Sequence, residues 1–294
     1  MNKVGFIGVG IMGKSMVRNL MKAGFELHIY ARTKSKVEDV ISEGAKFHES
    51  IKDCVQDCDA VITIVGFPQD VEEVYFDQGN ILDSAKKGAY LIDMTTTSPQ
   101  IAEKIYEEGT KRGFHVMDAP VTGGDTGAKA GTLSILVGGE KEDYEACMPL
   151  FEAMGTNINY QGKAGCGQHC KLANQIMIAG TLSGVCEALT YAKEQGLDPE
   201  VFMKSVATGA AGSKQLGTFG PKILKDDYAP GFFMKHFIKD MKLALIEANR
   251  KGLSLDVLSM VLANYEELEQ EGYGDLGTQA LMKFYDEEHR NTEE

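Results

Sequence analysis

The 294-residue chain lacks any excess of positive charge: 30 Lys and Arg stand against 43 Asp and Glu, a net charge of −13. A surface of that sign repels phosphate backbones, so nucleic acid is not an expected partner. The chain also lacks an apolar run of about 18 residues, so no membrane span is expected. Met1-Asn2-Lys3 leads straight into Val4-Gly5-Phe6-Ile7, too short an apolar segment for a signal peptide. The six cysteines are scattered, which suits reduced thiols in a cytoplasmic protein. Neither Cys54/Cys58 nor Cys166/Cys170 has the short spacing of a zinc site, so no metal is expected. Internal repeats and low-complexity segments are absent. What remains is an ordinary globular composition, 43% hydrophobic and 25% charged, long enough for two domains.

Lys3–Gly8 is a short apolar run that ends in Gly8-Val9-Gly10-Ile11-Met12-Gly13. An amphipathic segment with Met16, Leu20 and Met21 on one face follows, and residues 26–31 read as a second strand. The GxGxxG pattern therefore lies inside a βαβ unit, the context in which it binds a dinucleotide. Gly8 makes the turn, Gly10 lets the backbone approach a pyrophosphate, and Gly13 lets helix pack on strand. Ile11 and Met12 open the helix whose N–H groups and dipole face the phosphates. After the second strand come Ala31-Arg32-Thr33-Lys34-Ser35-Lys36. An acidic residue there would bond the ribose hydroxyl of NAD. Cations and hydroxyls suit a 2′-phosphate instead, so NADP is favoured over NAD, with Arg32 and Thr33 as its ligands.

Phe47–Asp53 reads as a short link, Ala60–Val65 as a buried strand, and Phe67-Pro68-Gln69-Asp70 as the opening of a helix to about Phe76. Tyr90–Met94 is a further strand, and Ser98 is placed to cap a helix with Pro99 at its first position. His115–Asp118 is the next strand. Strands alternating with helices imply a doubly wound parallel sheet of Rossmann type. Ligands of such sheets lie at the carboxyl ends of the strands. Val65, Gly66, Phe67 and Thr96 should then face the cofactor. Residues 118–133 break the pattern with a Gly-rich turn, Thr122-Gly123-Gly124, whose successive N–H groups make a nest for a carboxylate. Ser134–Gly138 reads as a strand, 140–154 as one helix with Tyr144, Met148 and Phe151 inward, and Asn159-Tyr160 as a link.

The stretch Gly165-Cys166-Gly167-Gln168-His169-Cys170-Lys171-Leu172-Ala173-Asn174-Gln175 opens a long helix over 168–195, apolar through 173–188 and expected to be buried. Both glycines let the backbone turn tightly into it. Lys171 and Asn174 project from one face, where they can hold an oxygen and move a proton. A helix from Asp198-Pro199, a loop at 209–213, and helices near 235–250, 255–271 and 276–286 follow; 287–294 is a charged tail. Met241 and Leu245 read as core, and Lys239 can reach a cofactor or a substrate carboxylate. The division expected is a dinucleotide-binding domain at 1–163, an interdomain helix at 164–195 and an all-α C-terminal domain at 196–294.

Four blocks resemble the β-hydroxyacid dehydrogenases: Gly8–Gly13, Asp118–Gly124, Gly165-x-Gly167-x-x-x-Lys171-x-x-Asn174, and Lys239-Asp240-Met241. Thr122 stands where that family usually has Ser, Gln175 where many members have a second Asn, and Ala31 where NADPH-using members often have Asn. The resemblance implies reversible hydride transfer between a nicotinamide and a short β-hydroxyacid or its semialdehyde. It implies Lys171 as general acid and base, Asn174 as a substrate ligand, and Thr122, Gly123 and Gly124 as the carboxylate site, with Lys239 nearby. A free Lys titrates at ~10.4; burial, and Lys239 as a neighbour, would lower Lys171 toward working pH. The family commonly forms dimers or tetramers. Imine reductases share the architecture but usually lack this Lys. 6-Phosphogluconate dehydrogenases need a longer helical domain and a basic phosphate pocket. A non-catalytic nucleotide-binding protein would have lost Lys171 or the Gly123-Gly124 turn. Glyoxylate, succinic semialdehyde, methylmalonate semialdehyde and tartronate semialdehyde all stay open as substrates.

Overall fold

The computed structural model describes residues 1–286; the charged tail lies outside them. The chain forms two compact units that divide after Lys171.

The first unit is built on nine strands: β1 (Lys3–Ile7), β2 (Glu26–Tyr30), β3 (Lys46–His48), β4 (Ala60–Thr63), β5 (Tyr90–Asp93), β6 (His115–Asp118), β7 (Val121–Thr122), β8 (Leu133–Gly139) and β9 (Gly155–Gly162). They lie side by side as β3-β2-β1-β4-β5-β6-β8-β7, with β9 on β8. The first six are parallel, and β8 runs antiparallel to β6 and β7. The order 3-2-1-4-5-6 is that of a dinucleotide-binding sheet, with its switch point between β1 and β4. Side chains alternate between two cores, as period-2 geometry demands. Phe6, Ile62, Ile92 and Met117 pack on one face, and Ile7, Val61, Leu91 and Val116 on the other. Ser98 caps the helix Pro99–Lys111 by accepting from Gln100 N–H, as its sequence implies.

Several short elements depart from expectation. Residues 46–55 are not a link but the edge strand β3 and the helix Ile51–Val55. The Gly-rich segment holds β7 and the helix Gly124–Ala130. Residues 140–154 make two helices, Lys141–Ala146 and Met148–Met154, with Pro149 in the first turn of the second. Cys147, Leu150 and Phe151 point inward there, while Met148 is only half-buried. Asn159-Tyr160 belongs to β9. Strand patterns this short carry little periodicity, and pairing with β8 supplies what propensity does not.

The second unit is helical. It comprises Cys166–Glu194 from Leu172 onward, then Pro199–Val206, Lys214–Ile223, Met234–Arg250 and Asp256–Gln270. The helix Lys214–Ile223 was not anticipated; it contains Pro221 and is capped by Ser213. The last segment, Thr278–Tyr285, is 3₁₀ rather than α. Leu172, Ala179, Leu182, Cys186 and Leu189 form a stripe at helical spacing that enters the unit's core with Met241, Leu258 and Tyr265. Leu245 packs half-buried against that core. The opposite face is open, with Met177 74% and Tyr191 67% exposed, so the long helix is not buried all round. By length and composition alone this helix passes for a membrane span, a test that the core helix of a globular unit passes as well, and its Leu172–Leu189 stripe lies in the core of the second unit.

Candidate active site

The Gly8–Gly13 turn follows β1. Gly8 has φ +98°, and a side chain on it would collide with the Ile64 carbonyl oxygen. A side chain on Gly13 would collide with the carbonyl oxygen of Gly8 and come within 3.2 Å of Phe6 Cε1. Gly13 is therefore what seats helix Ile11–Lys22 on the turn. A Cβ on Gly10 would meet nothing within 4 Å, so the backbone there faces open space. No side chain caps the helix and no acidic residue occupies its first turn. Its leading N–H groups are suited to an anion. The turn thus fits a dinucleotide pyrophosphate. At the end of β2, the exposed Arg32 guanidinium lies 3.1 Å from Asp70 Oδ1. Thr33 is exposed and precedes a short 3₁₀ turn.

The ends of β4, β5 and β6 are joined by buried polar groups. Thr63 Oγ1 donates to Asp93 Oδ1 at 2.7 Å, and Thr95 N–H donates to the same oxygen at 3.1 Å. Thr95 Oγ1 in turn accepts Val65 N–H at 3.0 Å, which ties the Val65-Gly66-Phe67 loop to the Thr95-Thr96-Thr97 loop. Burial pushes the Asp93 carboxyl up to about 6 despite these donors. Asp118, at the end of β6, accepts Gly165 N–H on Oδ1 and Gln168 N–H on Oδ2, both at 2.8 Å. Burial raises its carboxyl too, against those two bonds. Gln168 is fully buried and uses both ends of its amide. Oε1 accepts Thr97 N–H at 3.0 Å, and Nε2 donates to Thr95 O at 2.7 Å.

Lys171 follows one turn later and is 7% exposed. Its helix begins through two different glycine roles. Gly165 has φ +85° and turns the chain. Gly167 is already helical; a side chain there would collide with Leu136 O and reach within 2.7 Å of Asp118 O. Its part is close approach rather than turning. Thr122, at the end of β7, is half-buried, and Gly123 and Gly124 have φ of +132° and +67°. A Cβ on Gly124 would meet nothing, and Asp125 places a carboxylate in the turn that follows.

In the second unit, Asn174 Nδ2 donates to Gln175 Oε1 at 2.8 Å, and Gln175 Nε2 donates to Asp240 Oδ2 at 2.6 Å. Lys239 Nζ lies 3.0 Å from Asp240 Oδ1. Asp240 is wholly buried, and its charge is matched by Lys239. Asn174, Gln175, Asp240 and Lys239 are thus linked in one polar chain.

Asp93, Asp118, Gln168, Gln175 and Asp240 were not assigned roles from the sequence. The available signal was a polar side chain in an otherwise apolar strand end or helix face. Among the described residues no cluster of His, Cys, Asp or Glu can hold a metal.

Residues 3–162 match the model described as the NAD binding domain of 6-phosphogluconate dehydrogenase. Residues 165–285 match that of NADP-dependent 3-hydroxyisobutyrate dehydrogenase. An uncharacterized oxidoreductase of Bacillus subtilis (strain 168) is 49% identical over 282 residues, covering 96% of this chain and 98% of its own. The 2-hydroxy-3-oxopropionate reductase of Escherichia coli (strain K12) is 37% identical over 253 residues, 86% of each chain. The solved structure of Mycobacterium tuberculosis 3-hydroxyisobutyrate dehydrogenase with L-serine superposes with a TM-score of 0.88 at 26% identity. It covers 97% of this chain and 99% of that one.

Gln168→Met keeps length and burial but leaves Thr97 N–H and Thr95 O unpaired. It should cost about 2–3 kcal/mol in urea unfolding and lower kcat by about tenfold or more through misplacement of Lys171. An unchanged kcat at a lowered stability would make Gln168 purely structural. The raised Asp93 carboxyl means that the native state holds this proton more tightly than the unfolded chain does. Its stabilising share is full below about pH 4, is lost as pH rises to about 6, and is constant above. Asp93→Asn should therefore gain on wild type by on the order of 2–3 kcal/mol between pH 4 and pH 7. Paired urea titrations at the two pH values measure this, and a flat difference would refute it.

Proposed function

From the premise that this chain belongs to the β-hydroxyacid dehydrogenase family and is an NAD(P)-dependent oxidoreductase, we propose that it interconverts a short β-hydroxyacid and its semialdehyde. The observation that carries the proposal is the placement of Lys171. It is nearly buried, and one turn earlier its helix is pinned by Asp118 and joined by Gln168 to the loop after β5.

The bound nicotinamide supplies or accepts hydride; the protein positions and polarises. Gly8, Gly10, Ile11, Met12 and Gly13 receive the pyrophosphate. Val65, Gly66, Phe67 and Thr96 face the cofactor from the neighbouring strand ends, with Lys239 as a further ligand. Arg32 and Thr33 favour NADP, with NAD as the other coenzyme. Reduction builds negative charge on the carbonyl oxygen. The Lys171 ammonium stabilises that charge and gives up its proton; in oxidation the neutral amine takes it back. Asn174 gives one N–H to Gln175, which leaves a second N–H and Oδ1 as its means of holding substrate. Thr122, Gly123 and Gly124 offer hydroxyl and backbone donors to the substrate carboxylate, and this selects a small acid. The E. coli reductase among the relatives supports tartronate semialdehyde as a candidate; methylmalonate semialdehyde, succinic semialdehyde and glyoxylate stand beside it. The six free thiols suit a reducing, cytoplasmic compartment.

We also propose self-association as a dimer or tetramer. On the second unit, Met177, Val257 and Met260 are more than half exposed, and Gly180 approaches Val257 between them. Exposed apolar side chains on two helices that approach each other at Gly180 and Val257 fit a second copy of the chain.

NADPH and NADH oxidation with the four carbonyl compounds tests the activity. Lys171→Ala should lower kcat by about 10²–10⁴-fold with coenzyme binding retained. No turnover by wild type, or an unimpaired variant, would overturn the assignment. Light scattering should give at least twice the 32.0 kDa chain mass, and Met177→Lys with Met260→Lys should reduce it to one chain. A wild-type monomer would refute the association.

A further inference from the structure

Arg32 and Asp70 join the loop after β2 to the first turn of helix Pro68–Phe76, and the partners are unequal. Asp70 is fixed. Its Oδ2 accepts Phe67 N–H at 2.9 Å, its side chain is 17% exposed, and it faces the positive end of its own helix. Arg32 is 71% exposed on a long flexible stem. The guanidinium has therefore come to the carboxylate. As an exposed ion pair it adds little to stability, so folding alone gives it no evident purpose.

We propose that Asp70 is a specificity-determining residue that opposes recognition of the coenzyme 2′-phosphate and so narrows the preference for NADP over NAD. This rests on the assignment of the adenosine ribose to the end of β2. A phosphate monoester there carries nearly two negative charges near neutral pH. To be held it must share Arg32 with Asp70 or take Arg32 away. In either case a dianion sits beside a carboxylate that its backbone bond holds in place. The ribose 2′-hydroxyl of NAD is neutral and meets no such repulsion. Arg32 alone would select strongly for NADP; Arg32 neutralised by Asp70 selects less. With the charges about 6 Å apart and a water-like dielectric around the exposed Arg32, the penalty on the phosphate is about five- to tenfold in affinity.

The test is fluorescence titration of NADPH and NADH on wild type and Asp70→Asn, at low and high salt. Asn keeps an oxygen for Phe67 N–H and removes only the charge. The NADPH-to-NADH affinity ratio should rise about five- to tenfold, and the rise should shrink in high salt as screening shortens the reach of the charge. Asp70→Ser, which also retains an acceptor, should move the ratio the same way and replaces Asn if that variant folds poorly. A ratio that stays constant, or moves toward NADH, overturns the proposal; the second result would mean that Asp70 holds Arg32 ready for the phosphate. The proposed preference for NADP is judged separately, by the wild-type ratio. A wild type that favours NADH refutes that preference without deciding the effect of Asp70, which is read from the change in ratio.

Discussion

The arrangement of the first unit depends on where one buried carboxylate finds its partners. Asp118 ends β6 with both oxygens engaged by Gly165 and Gln168 N–H groups. These are orphan donors at the start of a 29-residue helix, groups that no intrahelical acceptor can satisfy. A carboxylate also suits the positive end of the helix. One side chain thus fixes where the helix leaves the sheet. The close approach needs Gly138 and Gly167. A Cβ on Gly138 would lie 2.6 Å from Asp118 Oδ1 and 2.8 Å from Gly167 N. Two missing side chains and one carboxylate form a single fitted joint.

Gln168 extends that joint sideways. Its amide reads both a donor and an acceptor of the Thr95–Thr97 loop, so rotation of the helix about its axis would break two bonds together. Lys171 follows on the same helix, and its direction is set by the same constraint. The cost appears in Asp93 and Asp118, two carboxyls at neighbouring strand ends that are raised by burial. A row of strand ends able to receive a dinucleotide concentrates polar groups where water is scarce, and their proton affinity records it.

Much of this was legible in the sequence, and the limits have physical causes. The parallel sheet, the Gly8–Gly13 turn and the cap at Ser98 follow from local signals: strands alternating with helices, glycines at fixed offsets, a hydroxyl before Pro99. The edge strand β3 and strand β9 did not, because three residues, or a polar run on a surface strand, have no period of their own. Gly167 was read as a turn residue; only a neighbour distant in sequence, Leu136, shows that it serves close approach. Gln175 looked like a departure from a familiar pattern. Its bond to Asp240 supplies the reason for a longer amide at that position: it reaches a buried carboxylate on another helix while still holding Asn174.

The same limit governs the charge of a binding loop. Arg32, Lys34 and Lys36 make the segment after β2 look strongly basic. In the folded unit, Arg32 lies on Asp70, and Lys34 lies over the Phe47 ring and 3.9 Å from Glu49. None of those partners is near in sequence. A ligand meets the sum of the charges that the fold assembles, including carboxylates delivered by other elements. Local composition can suggest which atoms would bind a phosphate, but how strongly they do so depends on how much of their charge is already engaged. That depends on whether the opposing carboxylate is free to withdraw, and Asp70, bonded to its own helix start, is not.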